Sequence, residues 1–217
     1  MSETGGARRG ESHGTTQRQR AARQRNPRGE GERLRRALME ATSELLLEHG
    51  TADSLSIRSV TARAGVSPTA LYLHFTDMDE LLRAVCDEAF EELGTFLRDA
   101  AVAHEDARAQ LQAMGEAYFE FAQKRPGLYR ILFATPGRLG LNFPPGKPSE
   151  DPGMAAFEVL VLATARCLGD GADPLPVALQ LWTALHGFVS LRAVLPVFGW
   201  PSNEEFLRGL YGAHLGE

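Results

Sequence analysis

The segment 55–75 constrains the fold more strongly than any other part of the chain, and its sequence is LSIRSVTARAGVSPTALYLHF. Ser56 can cap one short helix, and Gly65 permits the left-handed backbone conformation that a tight turn needs. Ser67 and Pro68 then begin a second short helix, with serine at the N-cap and proline at the first helical position. Two short helices that meet at a glycine predict a helix-turn-helix, whose second helix enters the major groove of DNA. Because similar turns also occur in structural bundles, the pattern alone leaves DNA binding open.

Apolar residues along the rest of the chain recur at helical spacing, and no stretch alternates as a β-strand would. Residues 34–45 carry one apolar stripe of a first helix, which Gly50 ends. After the motif, Thr76 and Asp79 resemble a capping box that opens a long helix. Proline and glycine make 136–153 a loop, which either gates a binding site or is disordered. Further helices are predicted at 111–121, 128–133, 154–168, 175–195 and 206–214. The predicted fold class is therefore all-α, with about nine helices.

Charge is distributed unevenly along the chain. The whole chain carries a formal net charge of −5, yet its first 36 residues hold ten arginines against four glutamates. Residues 1–30 contain almost nothing apolar, so they are expected to form a disordered arm, which either binds a polyanion or is a solvated tail. Residues 31–76 are expected to form the helix-turn-helix domain, and residues 77–217 a second, helical domain.

Motifs for catalysis, metal binding and export are missing from the sequence. No GxSxG, HExxH, P-loop or GxGxxG occurs and the six histidines show no ligand spacing, so no enzyme, metal site or cofactor is expected. Cys86 and Cys167 stand alone, which is typical of a reducing compartment. Polar and charged residues interrupt the apolar runs 154–168 and 175–197, and no signal peptide is visible. We therefore expect a cytoplasmic protein without a membrane partner.

The motif and the helix that follows it carry a recognisable residue pattern. Its members are Ser56, Arg58, Val60, Ala64, Gly65, Val66, Ser67, Leu71, Tyr72, His74, Phe75, Glu80, Leu81, Leu82 and Val85. This pattern resembles the DNA-binding region of the TetR family of bacterial transcriptional regulators, and AGVSPTALYLHF is its most specific part. The resemblance implies a homodimeric, ligand-responsive repressor on a palindromic operator in double-stranded DNA.

Eight side chains are candidates for DNA contact. Arg58 can reach a phosphate or a guanine edge, and Thr69 can hydrogen-bond a base or a phosphate. Tyr72 offers a phenolic donor to phosphate, which sets register rather than sequence. His74 either holds the DNA backbone or packs within the motif. The full candidate set is Ser56, Arg58, Ser67, Pro68, Thr69, Ala70, Tyr72 and His74.

One position departs from the family pattern. The family commonly has lysine where this chain has Met78, between Asp77 and Asp79. A helix N-terminus can still hold a phosphate through its amide groups, but the two acidic residues oppose it. Either DNA affinity is reduced, or the arginine-rich arm compensates.

The predicted helices 154–168 and 175–195 are apolar nearly all round, so each must be buried on every side. A chain of this length cannot surround two such helices, which favours a homodimer that pairs them across a two-fold axis. The alternative is an unusually deep core within one chain.

The second of these helices contains Trp182, His186 and Gly187, whose spacing resembles a Trp-His-Gly subclass of TetR-like C-terminal domains. In the functional interpretation Trp182 and His186 line a ligand pocket, His186 is its polar anchor, and Gly187 admits a neighbouring helix. In the structural one, Trp182 is core and His186 bonds a backbone carbonyl. Candidate ligand-binding residues are Met114, Tyr118, Phe121, Tyr129, Phe133, Trp182 and His186. A stripe at this spacing is more often plain core.

Three function classes remain to be compared. The favoured one is a repressor that a small apolar or aromatic effector releases from its operator by shifting the population of DNA-binding forms. An enzyme is disfavoured by the missing motifs. A helical protein-interaction module would leave the exposed LYLHF helix unexplained.

Overall fold

The computed structural model describes residues 30–49, 52–134 and 152–216. Within them lie nine α-helices, one 3-10 turn and no strand, and the helix count and the all-α prediction are confirmed. The elements are α1 (Glu30–His49), the 3-10 turn (Ala52–Ser54), α2 (Ile57–Arg63), α3 (Pro68–Leu71), α4 (Met78–Val102), α5 (Ala107–Lys124), α6 (Pro126–Ala134), α7 (Pro152–Leu168), α8 (Pro174–Val194) and α9 (Asn203–Leu215). Most of the predicted arm 1–30 and of the predicted loop 136–153 lies outside the described residues.

Local capping begins the short helices where the sequence predicted. The Ser56 hydroxyl accepts a hydrogen bond from the Ser59 amide at 3.1 Å. The Ser59 hydroxyl in turn accepts one from the Ser56 amide, which completes a capping box. Ser67 caps α3 by accepting from the Ala70 amide. Gly65 between them has a φ of 69°, a left-handed conformation that strains other residues.

The start of α4 differs from the prediction by one residue. Asp77, not Thr76, is the N-cap, and its carboxylate accepts from the Glu80 amide at 2.8 Å. Thr76 instead donates its amide and its hydroxyl to the Glu80 carboxylate, which lowers the pKa of Glu80. Two neighbouring residues could both cap, and aspartate is the better acceptor beside helix amides.

Two hydrophobic cores meet along α4 and α6. The first core joins α1, α2 and α3 to the first turns of α4, where Leu81 and Leu82 are fully buried, and it also takes in Ile131 of α6. The second core joins the rest of α4 to α5–α9 and includes Tyr129 and Leu132 of α6. Short α6 therefore belongs to both cores.

Helix α8 leaves much of its apolar surface uncovered within the chain. Leu181 and Phe188 are buried, but Leu191 and Val194 are 48% and 70% exposed. By length and composition alone α8 is apolar enough to cross a membrane, as the core helices of soluble proteins also are.

Candidate functional site

The helix-turn-helix presents a polar face on an apolar base. Leu71 and Phe75 are 0% and 2% exposed, and they anchor α3 on the first core. Of the eight residues predicted to contact DNA, Ala70 and His74 are half-buried. The exposed ones are Ser56, Arg58, Ser67, Pro68, Thr69 and Tyr72. We call these eight residues the helix-turn-helix surface.

Leu73 is an exposed apolar residue beside this surface that the sequence analysis did not single out. Its side chain is 69% exposed, and that of its neighbour Tyr72 is 56% exposed. The exposure of Leu73 could have been predicted from the sequence. Leu71 and Phe75 are four residues apart and face inward, which turns the residues between them outward.

Arg63 fixes α2 against α1. Its guanidinium lies 3.1 Å from Glu44 and 2.7 Å from Glu48, two residues one turn apart on α1. The hydrogen bonds lower the pKa of Glu48 and raise that of Arg63. Arg63 is thereby committed to two carboxylates, whereas Arg58 is exposed on the helix-turn-helix surface.

The first turn of α4 is acidic. Asp77 caps the helix, and Asp79 and Glu80 follow in its first turn. Met78 is half-buried and packs on the first core, so it covers apolar surface where the family pattern has a charged side chain.

A cavity of about 450 Å³ lies in the second domain between α4, α6, α7 and α8. Its lining is almost entirely apolar, with His186 as the one titratable side chain among the described residues that line it. The lining residues are Phe90, Leu93, Leu97, Leu132, Phe133, Gly153, Met154, Ala156, Phe157, Leu160, Leu175, Leu179, Trp182 and His186.

Three of the seven predicted ligand-binding residues line this cavity: Phe133, Trp182 and His186. Their rings pack together, with the Phe133 centroid 4.3 Å from His186 and 6.3 Å from Trp182. Trp182 and His186 are one turn apart and share the cavity face, as their spacing predicted.

Two predicted residues, Met114 and Phe121, are not among the lining residues. They are 2% and 1% exposed and belong to the second core, where Phe121 meets Phe96 of α4 edge-on. Their face of α5 is plain core, the alternative that the stripe left open.

Tyr118 and Tyr129 lie behind the cavity wall in a polar network with His186 and Ser190. The Tyr118 hydroxyl lies 3.2 Å from that of Tyr129, which lies 2.7 Å from Nδ1 of His186. Nε2 of His186 lies 3.3 Å from the Ser190 hydroxyl. Burial raises the pKa of both tyrosines and lowers the pKa of His186. The network is therefore uncharged at neutral pH.

Helix α4 supplies cavity residues that the sequence analysis assigned only to a helix face. Phe90, Leu93 and Leu97 line the cavity from one side. Their spacing signalled a buried stripe, but nothing in it distinguishes a cavity from a packed core.

Gly187 does not admit a neighbouring helix from the same chain. A Cβ added there would meet nothing within 4 Å in the described part of the chain. The expected close approach is therefore absent from the packing within the described part of the chain.

A helix-turn-helix joined to a larger helical domain with an internal apolar cavity defines the class of helix-turn-helix transcriptional regulators. The family model "Bacterial regulatory proteins, tetR family" matches residues 38–85. The model "Tetracyclin repressor-like, C-terminal domain" matches residues 111–208. The two matches cover both domains and together more than half of the chain. The chain belongs to the TetR family of transcriptional regulators, which are not enzymes.

Individual relatives agree with this assignment. An uncharacterized HTH-type transcriptional regulator of Haemophilus influenzae is 34% identical over 101 residues, which are 46% of this chain and 49% of the relative. The matched region thus spans about half of that relative's length. A solved protein of unknown function from Rhodococcus sp. RHA1 is 26% identical, with a TM-score of 0.68 over 88% of this chain and 97% of that one.

The fold is shared with a repressor of a Stenotrophomonas maltophilia multidrug efflux pump, SmeT. Its structure is 20% identical, with a TM-score of 0.58 over 83% of this chain and 90% of that chain. A second structure of SmeT is a complex with triclosan. At this identity the likeness concerns the fold.

Proposed function

We propose that this protein is a homodimeric, cytoplasmic repressor that binds a palindromic operator in double-stranded DNA and that a small apolar or aromatic ligand releases. The observation that carries the proposal is an exposed helix-turn-helix surface joined through α4 to an apolar cavity. In this proposal residues 31–76 contact DNA, and residues 77–217 bind the ligand and form the dimer.

DNA contact is supported by the exposure and chemistry of the helix-turn-helix surface. Thr69 in α3 and Tyr72 directly after it carry exposed hydroxyl groups. Arg58 in α2 adds an exposed cation. Hydroxyl and guanidinium groups are the usual partners of phosphates and base edges. The buried base under α3 holds these groups in one orientation.

Dimerisation is supported by apolar surface that the chain does not cover. Leu162 of α7 is 57% exposed, and Leu191 and Val194 of α8 are 48% and 70% exposed. Large exposed apolar patches mark interaction sites. We propose that the predicted helices 154–168 and 175–195 pair with their copies about a two-fold axis, which suits a palindrome.

Ligand response is supported by the path from the cavity to the DNA-binding domain. Phe90 and Leu97 line the cavity, whereas Leu81 and Leu82, two to four turns earlier on α4, lie in the first core. A ligand that fits the cavity better in one orientation of α4 shifts the population toward that orientation. The structure of SmeT, which shares this fold, has been solved as a complex with triclosan.

From the Trp-His-Gly resemblance the proposal uses only the positions of Trp182 and His186. Trp182 and His186 form one wall of the cavity and, in the proposal, contact the effector. Among the other predicted ligand-binding residues, Phe133 contacts it directly, and Tyr118 and Tyr129 act through His186.

The test is selection of random duplex DNA by the purified full chain, run beside Tyr72→Ala and Val102→Ala. Val102 is 83% exposed at the far end of α4, so it controls for loss of an exposed side chain. We expect the wild type and Val102→Ala to enrich one palindrome and Tyr72→Ala to enrich none. Absence of enrichment by the folded wild type, or equal enrichment by all three, would contradict the proposal.

A further inference from the structure

In the polar network behind the cavity, the chemistry of the groups determines which of them donates each hydrogen bond. Tyr118 donates its proton to the Tyr129 hydroxyl at 3.2 Å. Tyr129 in turn donates to Nδ1 of His186 at 2.7 Å, since a proton on Nδ1 would leave one of the two tyrosine protons without an acceptor in the hydrogen bonds that join these three groups.

This order selects one tautomer of His186. Nδ1 accepts a hydrogen bond, so the ring proton of the neutral imidazole is on Nε2. The Ser190 hydroxyl accepts from Nε2 at 3.3 Å, which is long for a hydrogen bond. Nε2–H is consequently a weakly engaged donor on a ring that lines the cavity.

The charge of the cavity wall limits its ligands further. Of the described residues that line it, none is lysine, arginine, aspartate or glutamate. An ionised ligand would therefore gain no counter-ion from these residues in exchange for the hydration it gives up, which is unfavourable.

We propose that the cavity selects uncharged, mainly apolar ligands that carry one hydrogen-bond acceptor, such as a ketone or ester oxygen, and that His186 Nε2–H donates to this acceptor. Tyr129 is a positioning residue, because it holds the histidine in the donating tautomer without contacting the ligand. The proposal deepens the ligand-responsive function above and rests on the same cavity.

Three probes of one shape test the ligand class: 2-acetylnaphthalene, 2-ethylnaphthalene and 2-naphthoate. They present a carbonyl acceptor, no acceptor and an anion. Binding is measured as the ligand-dependent rise in Tm of the full chain, followed by circular dichroism. We expect the ketone to bind roughly three- to tenfold more tightly than the hydrocarbon and the anion not to bind. Equal affinity of ketone and hydrocarbon, preference for the anion, or no binding by any probe would overturn the proposal.

Variants separate the hydrogen bond from the shape of the wall. His186→Phe keeps an aromatic ring but no donor, so the ketone preference should disappear while hydrocarbon binding persists. Ser190→Ala is the matched control, because it removes the competing acceptor of Nε2–H and should keep or increase the preference. A merely structural role of His186 would instead weaken both probes equally.

The tautomer has its own readout. In ¹⁵N-labelled wild type, NMR should show His186 protonated on Nε2 and not on Nδ1, and the Nε2 resonance should move with 2-acetylnaphthalene but not with 2-ethylnaphthalene. Tyr129→Phe should give a mixture of tautomers and a reduced ketone preference. Protonation on Nδ1 in the wild type would refute the assignment.

These measurements involve no DNA, so the two proposals fail separately. Ketone preference without an enriched DNA sequence would overturn the repressor function alone. An enriched palindrome without ketone preference would overturn the ligand class alone.

Discussion

Gly115 of α5 lies directly against Tyr211 of α9. A Cβ added to this glycine would overlap the Tyr211 hydroxyl and lie 2.6 Å from Cδ2 of Leu207. Tyr211 donates to the Leu111 carbonyl at 2.9 Å, and both α9 side chains are at most 4% exposed. The close approach of α5 and α9 therefore depends on the missing side chain.

Gly115→Ala should destabilise the protein by about 1–3 kcal/mol, because the methyl group forces two buried side chains aside. Gly209→Ala is the control, since this exposed glycine of α9 has nothing within 4 Å in the described part of the chain. It should stabilise by about 0.5–1 kcal/mol through helix propensity. Urea unfolding measures both, and equal stability of the two variants would contradict the packing described.

Met78→Lys should tighten DNA binding, because it restores a cation at the start of α4 beside the helix-turn-helix surface. The slope of log K against log salt should steepen by about 0.9 if one phosphate contact is gained. Fluorescence anisotropy with the selected palindrome at several salt concentrations measures the slope. Val102→Lys adds the same charge at the other end of α4 and should leave the slope unchanged. An identical change in both variants would indicate a general charge effect.

Val194→Glu should convert the proposed dimer to a monomer, because it buries a carboxylate in the proposed apolar interface. Light scattering after size-exclusion chromatography gives the mass directly. Val102→Glu makes the same change at a still more exposed apolar residue outside that interface, and this variant should remain dimeric. A Val194→Glu protein that stays dimeric at micromolar concentration would place the interface elsewhere.

Protonation of His186 should reduce the stability of the fold below pH 6.5. Its pKa is lowered by burial, so between its folded pKa and the ordinary value of 6.5 the unfolded chain binds more protons. The free energy of unfolding should thus fall as the pH drops from 6.5. Glu48, Glu80 and Glu205 have lowered pKa values and contribute only near and below their ordinary value of 4.5.

Urea unfolding at pH 7.5 and pH 5.5 checks this dependence in the window where the carboxylates are ionised. His186→Phe lacks the titrating ring, so its stability should change less between the two pH values. If the variant loses as much stability as the wild type, other histidines account for the change.

The helix-turn-helix could be predicted from sequence because its signals act over short distances. Ser56 and Ser67 each bond an amide three residues ahead, and Gly65 sets the turn by its own φ. Where two such signals compete, the boundary shifts, as Asp77 took the cap expected of Thr76.

The cavity could be predicted only in part. Met114 and Trp182 both lie in apolar stripes at helical spacing, yet only Trp182 lines the cavity. Whether a stripe lines the cavity or packs in the core depends on helices far apart in the chain. Phe90 of α4 and Phe157 of α7, for example, line the cavity together. Periodicity within one helix carries no information about those neighbours.

The position of α6 in both cores has a consequence for protein engineering. Ile131 completes the first core, and Tyr129 on the same short helix holds the ring of His186. A chimera that joined residues 31–76 to another regulator's C-terminal domain would lose the buried side chain that Ile131 contributes to the first core. The transferable module is therefore discontinuous in sequence, and a functional graft of DNA specificity has to exchange the contacts of α6 together with the helix-turn-helix.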